Sequence, residues 1–125
     1  MTARLILIID DDLSILQIAK LSLKRGAGWQ VVTASSGEAG IALAESEQPD
    51  AILLDIMMPS MDGLATLEKL KASSKAHHIP AIFLTAKTRA AERHQFYQAG
   101  VKGLIPKPFE PDDLAPQIEA FLGWS

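Results

Sequence analysis

The stretch Ala51-Ile52-Leu53-Leu54-Asp55-Ile56-Met57-Met58-Pro59-Ser60-Met61-Asp62-Gly63 decides how the chain is read. The apolar residues Ala51 to Leu54 run without a break into an acid, Asp55. A run this short, preceded by Pro49-Asp50, has the pattern of a strand buried on both faces. Asp55 then stands where the strand leaves the sheet. Pro59 and Gly63 interrupt the chain directly afterwards, so the acid faces an irregular loop. In an open parallel α/β sheet the ligand crevice lies at the carboxyl ends of the strands, which makes Asp55 a candidate for chemistry. Taken alone, Asp55 could also be a cap on the following turn.

Working outward, the same pattern recurs. Leu5 to Ile9 is another continuous apolar run, and it ends in Asp10, Asp11 and Asp12. Ala81 to Leu84 ends at Thr85-Ala86, and the short runs Gln30 to Ala34 and Gly103 to Ile105 complete the strands. The last of these leads into Pro106-Lys107-Pro108-Phe109. Between the strands the apolar period changes to that of a helix. The first helix spans Leu13 to Lys24, capped by Asp12 or Ser14 and ended by Gly26 and Gly28. The spacing of Ser35 and Glu38 suggests a capping box for a second helix reaching about Glu45. Leu64, Leu67 and Leu70 mark a third helix, followed by a polar connector from Ser73 to Pro80. A fourth runs from Thr88 to Ala99 with a mixed pattern and stops at Gly100. The fifth begins at Pro111 with Asp112 and Asp113 near its positive end and buries Leu114, Ile118, Phe121 and Leu122. Five strands alternating with five helices imply an α/β fold, a parallel sheet with helices on both faces.

The whole chain sets outer bounds. Its 125 residues make one ordinary domain, and 48% hydrophobic with 22% charged residues is a globular composition. A net charge of −3 argues against a direct nucleic-acid groove. With no cysteine there is neither a disulfide nor a thiolate nucleophile. No apolar run approaches the roughly 20 residues of a membrane span, and Met1 to Arg4 has no signal-peptide layout. A soluble cytoplasmic domain is the expectation.

The polar residues of interest all follow strands: Asp10, Asp11 and Asp12, then Asp55, Thr85 and Lys107. A parallel sheet brings those ends to one edge. Clustered carboxylates repel unless a cation or proton intervenes, and hard oxygen ligands suit Mg2+. With the charge neutralised, one carboxylate could act as a nucleophile toward phosphorus, while the lysine and hydroxyl hold the oxygens of the transferred group. Each residue has a plainer reading: Asp12 as a helix cap, Thr85 as a strand-end threonine, Lys107 as a solvated turn lysine. His77, His78 and His94 read as surface residues. Gly26-x-Gly28 follows a helix, not a strand, so it is no dinucleotide fingerprint.

The segments Ile8-Ile9-Asp10-Asp11-Asp12, Leu54-Asp55-Ile56-Met57-Met58-Pro59-x-Met61-Asp62-Gly63, Leu84-Thr85-Ala86 and Lys107-Pro108-Phe109 together resemble the receiver domain of two-component response regulators. The single-domain, chemotaxis-type regulators are included in that resemblance, which covers essentially the whole chain as one domain, residues 1–125. It implies a doubly wound, five-stranded parallel sheet of flavodoxin-like strand order. It also implies that a histidine kinase or histidine phosphotransfer protein donates a phosphoryl group to Asp55. Asp10, Asp11, Asp55 and the Met57 carbonyl would hold Mg2+. Thr85 and Lys107 would contact phosphate oxygens, Ala86 would leave room for the donor, and the Lys107–Pro108 bond would be cis. The chain would be no enzyme beyond its own phosphorylation and dephosphorylation. It would signal through the fourth helix, fifth strand and fifth helix to an output partner or as a homodimer.

One departure stands out. The family often has an aromatic residue in the fifth strand that responds to the hydroxyl, and here Leu104 takes that place. No recognisable DNA-binding or catalytic region follows Leu122, so output is either by protein binding or through a larger protein. Two competing readings remain at this level. Asp10-x-Asp12 superficially fits a haloacid-dehalogenase-like phosphatase, but Thr85-Ala86-Lys87 stands where that family needs an acidic pair. A pseudo-receiver that is never phosphorylated would not need Asp10, Asp11, Asp55, Thr85 and Lys107.

Overall fold

The computed structural model describes residues 3–86 and 89–124. Among these, the strands β1 (Leu5–Ile9), β2 (Gln30–Ala34), β3 (Ala51–Asp55), β4 (Ala81–Thr85) and β5 (Gly103–Pro106) alternate with helices. The helices are α1 (Leu13–Ala27), α2 (Gly37–Glu47), α3 (Gly63–Ala72), α4 (Ala90–Ala99) and α5 (Pro111–Leu122). The sheet order is β2-β1-β3-β4-β5, and every neighbouring pair is parallel. This is the doubly wound, flavodoxin-like arrangement the sequence suggests. The chain runs outward from β1 to β2, then returns past β1 to β3. That reversal sets Ile9 beside Leu54, so Asp10 and Asp55, one position further on, emerge side by side.

The unbroken apolar runs follow from burial on both faces. Because side chains alternate across a strand, Ile6, Ile8, Leu53, Ile82, Leu84 and Ile105 pack beneath α1 and α5. Leu7, Ile9, Ile52, Leu54 and Phe83 pack beneath the layer that includes Ala44, Leu67, Leu70 and Phe96 from α2, α3 and α4. The same two-residue period carries past the strand ends. It assigns Asp10, Asp55 and Lys107 to the α1–α5 side, and Thr85 and Leu104 to the α2–α4 side.

Several boundaries differ from the sequence reading for local reasons. Gly26 lies inside α1, and the helix ends at Gly28. Only Gly28 takes the left-handed conformation, φ +69°, that terminates a helix, its N–H bonding the Lys24 carbonyl at 3.0 Å. Asp12, not Ser14, caps α1. The capping box is not formed. Ser36, one residue after Ser35, is the cap and accepts from the Ala39 N–H at 3.2 Å. Gly37 sits buried where a Cβ would collide with the Thr66 hydroxyl and Met61, which fixes where α2 begins. Its end lies at Glu47, beyond the Glu45 of the sequence reading. The connector 73–80 is not wholly polar in effect, since Ala76 and Ile79 are buried in the α2–α4 core. It is tied to α2 by Ser73 Oγ to Glu45 (2.6 Å) and by Gln48 Nε2 to the Lys75 carbonyl (2.8 Å). The expected start of the fourth helix at Thr88 lies outside the described residues.

Trp124, outside the apolar period of α5, has a partner of its own. Its ring meets Trp29 edge to face, centroids 5.5 Å apart, and the Arg4 guanidinium lies 3.8 Å from its centroid. This stack fastens the end of α5 to the turn after α1 and to the start of β1. Trp124→Ala is expected to destabilise the domain by about 1–3 kcal/mol through lost ring and cation–π contacts. Urea unfolding followed by far-UV circular dichroism would register it as a lower midpoint with an unchanged slope.

Candidate functional site

The site forms where β1, β3, β4 and β5 end. Asp10 follows β1 directly and is fully buried. Its N–H donates to the Ala34 carbonyl at 3.1 Å. Its Oδ1 accepts from the Asp12 N–H at 2.9 Å and its Oδ2 accepts from Lys107 Nζ at 2.7 Å. Asp55 is the last residue of β3 and only 3% exposed. Its Oδ1 lies 3.1 Å from Lys107 Nζ and accepts from the Met57 N–H at 3.3 Å. Lys107 therefore spans the two carboxylates, held in turn by its own N–H to the Thr85 carbonyl at 3.0 Å. Asp11 is exposed, yet one oxygen each from Asp10, Asp11 and Asp55 can be chosen so that all lie within 4.8 Å of one another.

The remaining candidates fall around this centre. Thr85 ends β4, is 2% exposed, and is in register with Pro106 of β5. Ala86 follows it and is exposed at the rim. Met57 has an exposed side chain and gives its N–H to Asp55. Leu104 is in register with Phe83 and packs, partly buried, against the α2–α4 core. Asp12 is an N-cap, accepting from Ser14 N–H at 2.9 Å and Ile15 N–H at 3.4 Å. It is exposed on the helix, so the Asp10-x-Asp12 pair does not converge as a phosphatase would require. His77, His78 and His94 are exposed. The Lys107–Pro108 peptide is cis.

Burial is the main force on Asp55 and raises its carboxyl from about 3.8 to about 6. Lys107 and the Met57 N–H pull it back, while the Asp10 charge pushes it further up. Burial would lower Lys107, but its bonds to Asp10 and Asp55 outweigh that and hold it above the ordinary lysine value. The centre is thus two buried carboxylates sharing one ammonium, with a third carboxylate at the rim. The donor set consists of hard anionic oxygens, and the charge balance leaves net negative charge. Both features fit a divalent cation such as Mg2+.

By sequence pattern Gly63 is only a chain breaker. In the structure it closes the loop onto Asp55. Its N–H donates to the Ile56 carbonyl at 2.9 Å. A Cβ there would lie 2.6 Å from the Asp55 carbonyl oxygen and 2.7 Å from Ile56 Cα, both backbone atoms that cannot swing aside. The signal in the sequence was a glycine opening a helix immediately after Asp62, which is the cap of α3 and accepts from the Ala65 N–H at 2.9 Å.

Fold and site together define a flavodoxin-like α/β domain with an acidic crevice spanned by one lysine. The chain belongs to the response regulator receiver domain family, whose family model matches residues 6–119. It is 38% identical to a probable transcriptional regulator, ycf27, of Guillardia theta over 97% of this chain and 46% of that protein. It is 34% identical to the alkaline phosphatase synthesis transcriptional regulatory protein PhoP of Bacillus subtilis, over 94% of this chain and 48% of that one. The chain spans about half the length of the curated relatives it matches. Among solved structures, the chemotaxis response regulator CheY4 of Vibrio cholerae superposes with a TM-score of 0.89 at 29% identity, covering 96% of this chain and 99% of that one. The receiver domain of a sensor histidine kinase from Pseudomonas aeruginosa, with a magnesium ion coordinated in its active site cleft, superposes at 0.84 with 27% identity, covering 98% and 99%.

Two outcomes are expected. The raised Asp55 carboxyl favours the protonated form in the fold, so its contribution to stability is full below about pH 4 and is lost as pH rises through about 6. Asp55→Asn in excess chelator should therefore stabilise the domain by about 1–3 kcal/mol at pH 7.5 and by much less at pH 4. Thermal melts at the two pH values check this. Gly63→Ala should cost about 1–3 kcal/mol through backbone overpacking and slow any chemistry at Asp55, measurable on one sample by melting and by labelling.

Proposed function

We propose that Asp55 is the phosphoacceptor. An Asp55 carboxylate oxygen attacks the phosphorus of a phosphohistidine on a histidine kinase or phosphotransfer protein. The N–P bond breaks, the imidazole departs and takes up a proton, and an aspartyl phosphate remains. The observation that carries this is the buried Asp55 carboxylate at the end of the central strand, held between Lys107 and the Met57 N–H.

Asp10, Asp11, Asp55 and the backbone carbonyl of Met57 would hold Mg2+. Bound there, the ion would neutralise the carboxylates and the oxygens of the incoming group. Lys107 steadies Asp55 before transfer and follows the negative charge onto the phosphate oxygens afterwards. Thr85 donates its hydroxyl to one of those oxygens. Ala86, small and exposed, leaves the approach open. The low pull of water on the buried Asp55 suits a group that must react once and then hold its product. Apart from its own phosphorylation and dephosphorylation the domain performs no reaction.

Residues 1–125 act in this reading as a single receiver domain in the cytoplasm, where a phosphohistidine donor is found. No helix among the described residues is long and apolar enough to cross a membrane. The output passes through the face formed by α4, β5 and α5, either to a partner protein, as in chemotaxis-type regulators, or to a second copy of the chain. The relatives named as transcriptional regulators support a link to gene control, with this domain supplying the switch and not the DNA contact.

Incubation with acetyl phosphate and Mg2+, followed by mass spectrometry, should place one phosphoryl group on Asp55. The label should vanish in Asp55→Asn and in excess chelator. Label on Asp10, or equal labelling of Asp55→Asn, would sink the reading.

A further inference from the structure

Helices α1 and α5 lie side by side on one face of the sheet and pack into the same core. Each follows a strand of a parallel sheet, so the two run in the same direction. A groove of about 590 Å³ opens between them. Of its lining residues, Trp29 and Ala115 are buried, whereas Ile18 and Leu21 stand 46% and 50% exposed. Among the described residues five large apolar side chains are left exposed, and three of them, Leu13, Ile18 and Leu21, are on α1. Covering apolar surface of this kind is favourable, and a cluster of it marks a contact face more often than a single exposed residue does.

The two banks of the groove carry opposite charge. Helix α1 has Lys20, Lys24 and Arg25 and no acid, while α5 has Asp112, Asp113 and Glu119 and no cation. Arg25, Asp112 and Glu119 line the groove. Among the described residues these three make no ion pair. Helix dipoles account for Arg25 in the last turn of α1 and for Asp112 in the first turn of α5. They do not account for Glu119, which brings negative charge into the last turn of α5, the negative end of that helix. Glu119 calls for a cation that its own chain does not supply.

A face with an apolar middle, a basic bank and an acidic bank is complementary to a copy of itself. A two-fold axis can lie in such a face in two limiting ways. An axis across the groove sets α1 on the α1 of the second copy and opposes like charges. An axis along the groove sets α1 of each copy on α5 of the other, with all four helices still running the same way. Arg25 and Glu119, both near the C-terminal ends of their helices, then meet twice across the contact. We propose that two copies of this chain associate through the α1–α5 groove, with Arg25 of each copy against Glu119 of the other. The contact involves neither α4 nor β5 and does not rest on the reading of Asp55. Ile18 and Leu21 supply the apolar area, and the charges fix the orientation.

Sedimentation equilibrium on the whole chain tests this. Wild type should dimerise with a Kd below about 1 mM, and raising the salt to about 0.5 M should weaken the dimer. Leu21→Ser, at an exposed position, should weaken it about tenfold. Arg25→Glu and Glu119→Arg should each weaken it by about tenfold or more, because either change sets like charges against each other in a homodimer. An equimolar mixture of those two variants should dimerise as wild type does, since every pair across the mixed contact is again of opposite sign. Charges acting only within one chain cannot give that recovery. Far-UV circular dichroism should show all three variants folded as wild type. Wild type that stays monomeric at about 1 mM overturns the proposal. So does a dimer indifferent to Arg25→Glu and Glu119→Arg, which would put the contact on another face, and so does a mixture that associates no better than its components.

Discussion

The Lys107 ammonium, 2.7 Å from Asp10 and 3.1 Å from Asp55, is the contact on which the rest of the site depends. The sheet order puts the ends of β1 and β3 side by side, so two carboxylates emerge where water is largely excluded. Like charges on oxygens 4.8 Å apart, the upper limit here, repel by roughly 3.5 kcal/mol even at an effective dielectric constant of 20. A positive group from another strand end must lie between them, or one acid must stay protonated. The structure uses both devices: Lys107 reaches in from β5, and burial still holds the Asp55 carboxyl near 6. Removing the lysine alone would leave buried charge without a partner, which is far more costly than never having had the pair.

That arrangement explains why a binding crevice sits at this edge and not elsewhere. The strands supply rigidity, since β3 and β4 are buried along their full length. The loops supply reach, with Gly63 allowing the segment after Asp55 to fold back against its own backbone. The alternation of side chains divides the labour further. Asp10, Asp55 and Lys107 belong to the α1–α5 side, where the charge is gathered. Thr85, Phe83 and Leu104 belong to the side covered by α2, α3 and α4.

Much of this was legible in the sequence because it depends on short-range pattern. Continuous apolar runs gave the buried strands, and the residues that follow them gave the site: Asp10, Asp11, Asp55, Thr85 and Lys107 all lie at strand ends or just beyond. Helix limits were less legible where a tertiary contact outweighs a local signal. Gly26 reads as a stop, yet only Gly28 has the required backbone conformation. Ser35 and Glu38 have capping-box spacing, yet the packing of Gly37 against Thr66 and Met61 makes Ser36 the cap. Side-chain contacts away from the strand ends were not legible. Trp124 on Trp29, Phe96 on Phe83 and the tight seat of Gly63 leave no periodic trace, because each depends on where the sheet places its partner.

A divalent cation would relieve the crowding of carboxylates at this sheet edge and displace the proton that burial favours on Asp55. Isothermal titration of Mg2+ into the domain, in buffers of different ionisation enthalpy, counts the protons released on binding. With the Asp55 carboxyl near 6, binding at pH 6 should release about half a proton per ion, and binding at pH 8 close to none. Binding without proton release at pH 6, or undiminished binding by Asp55→Asn, would contradict the account.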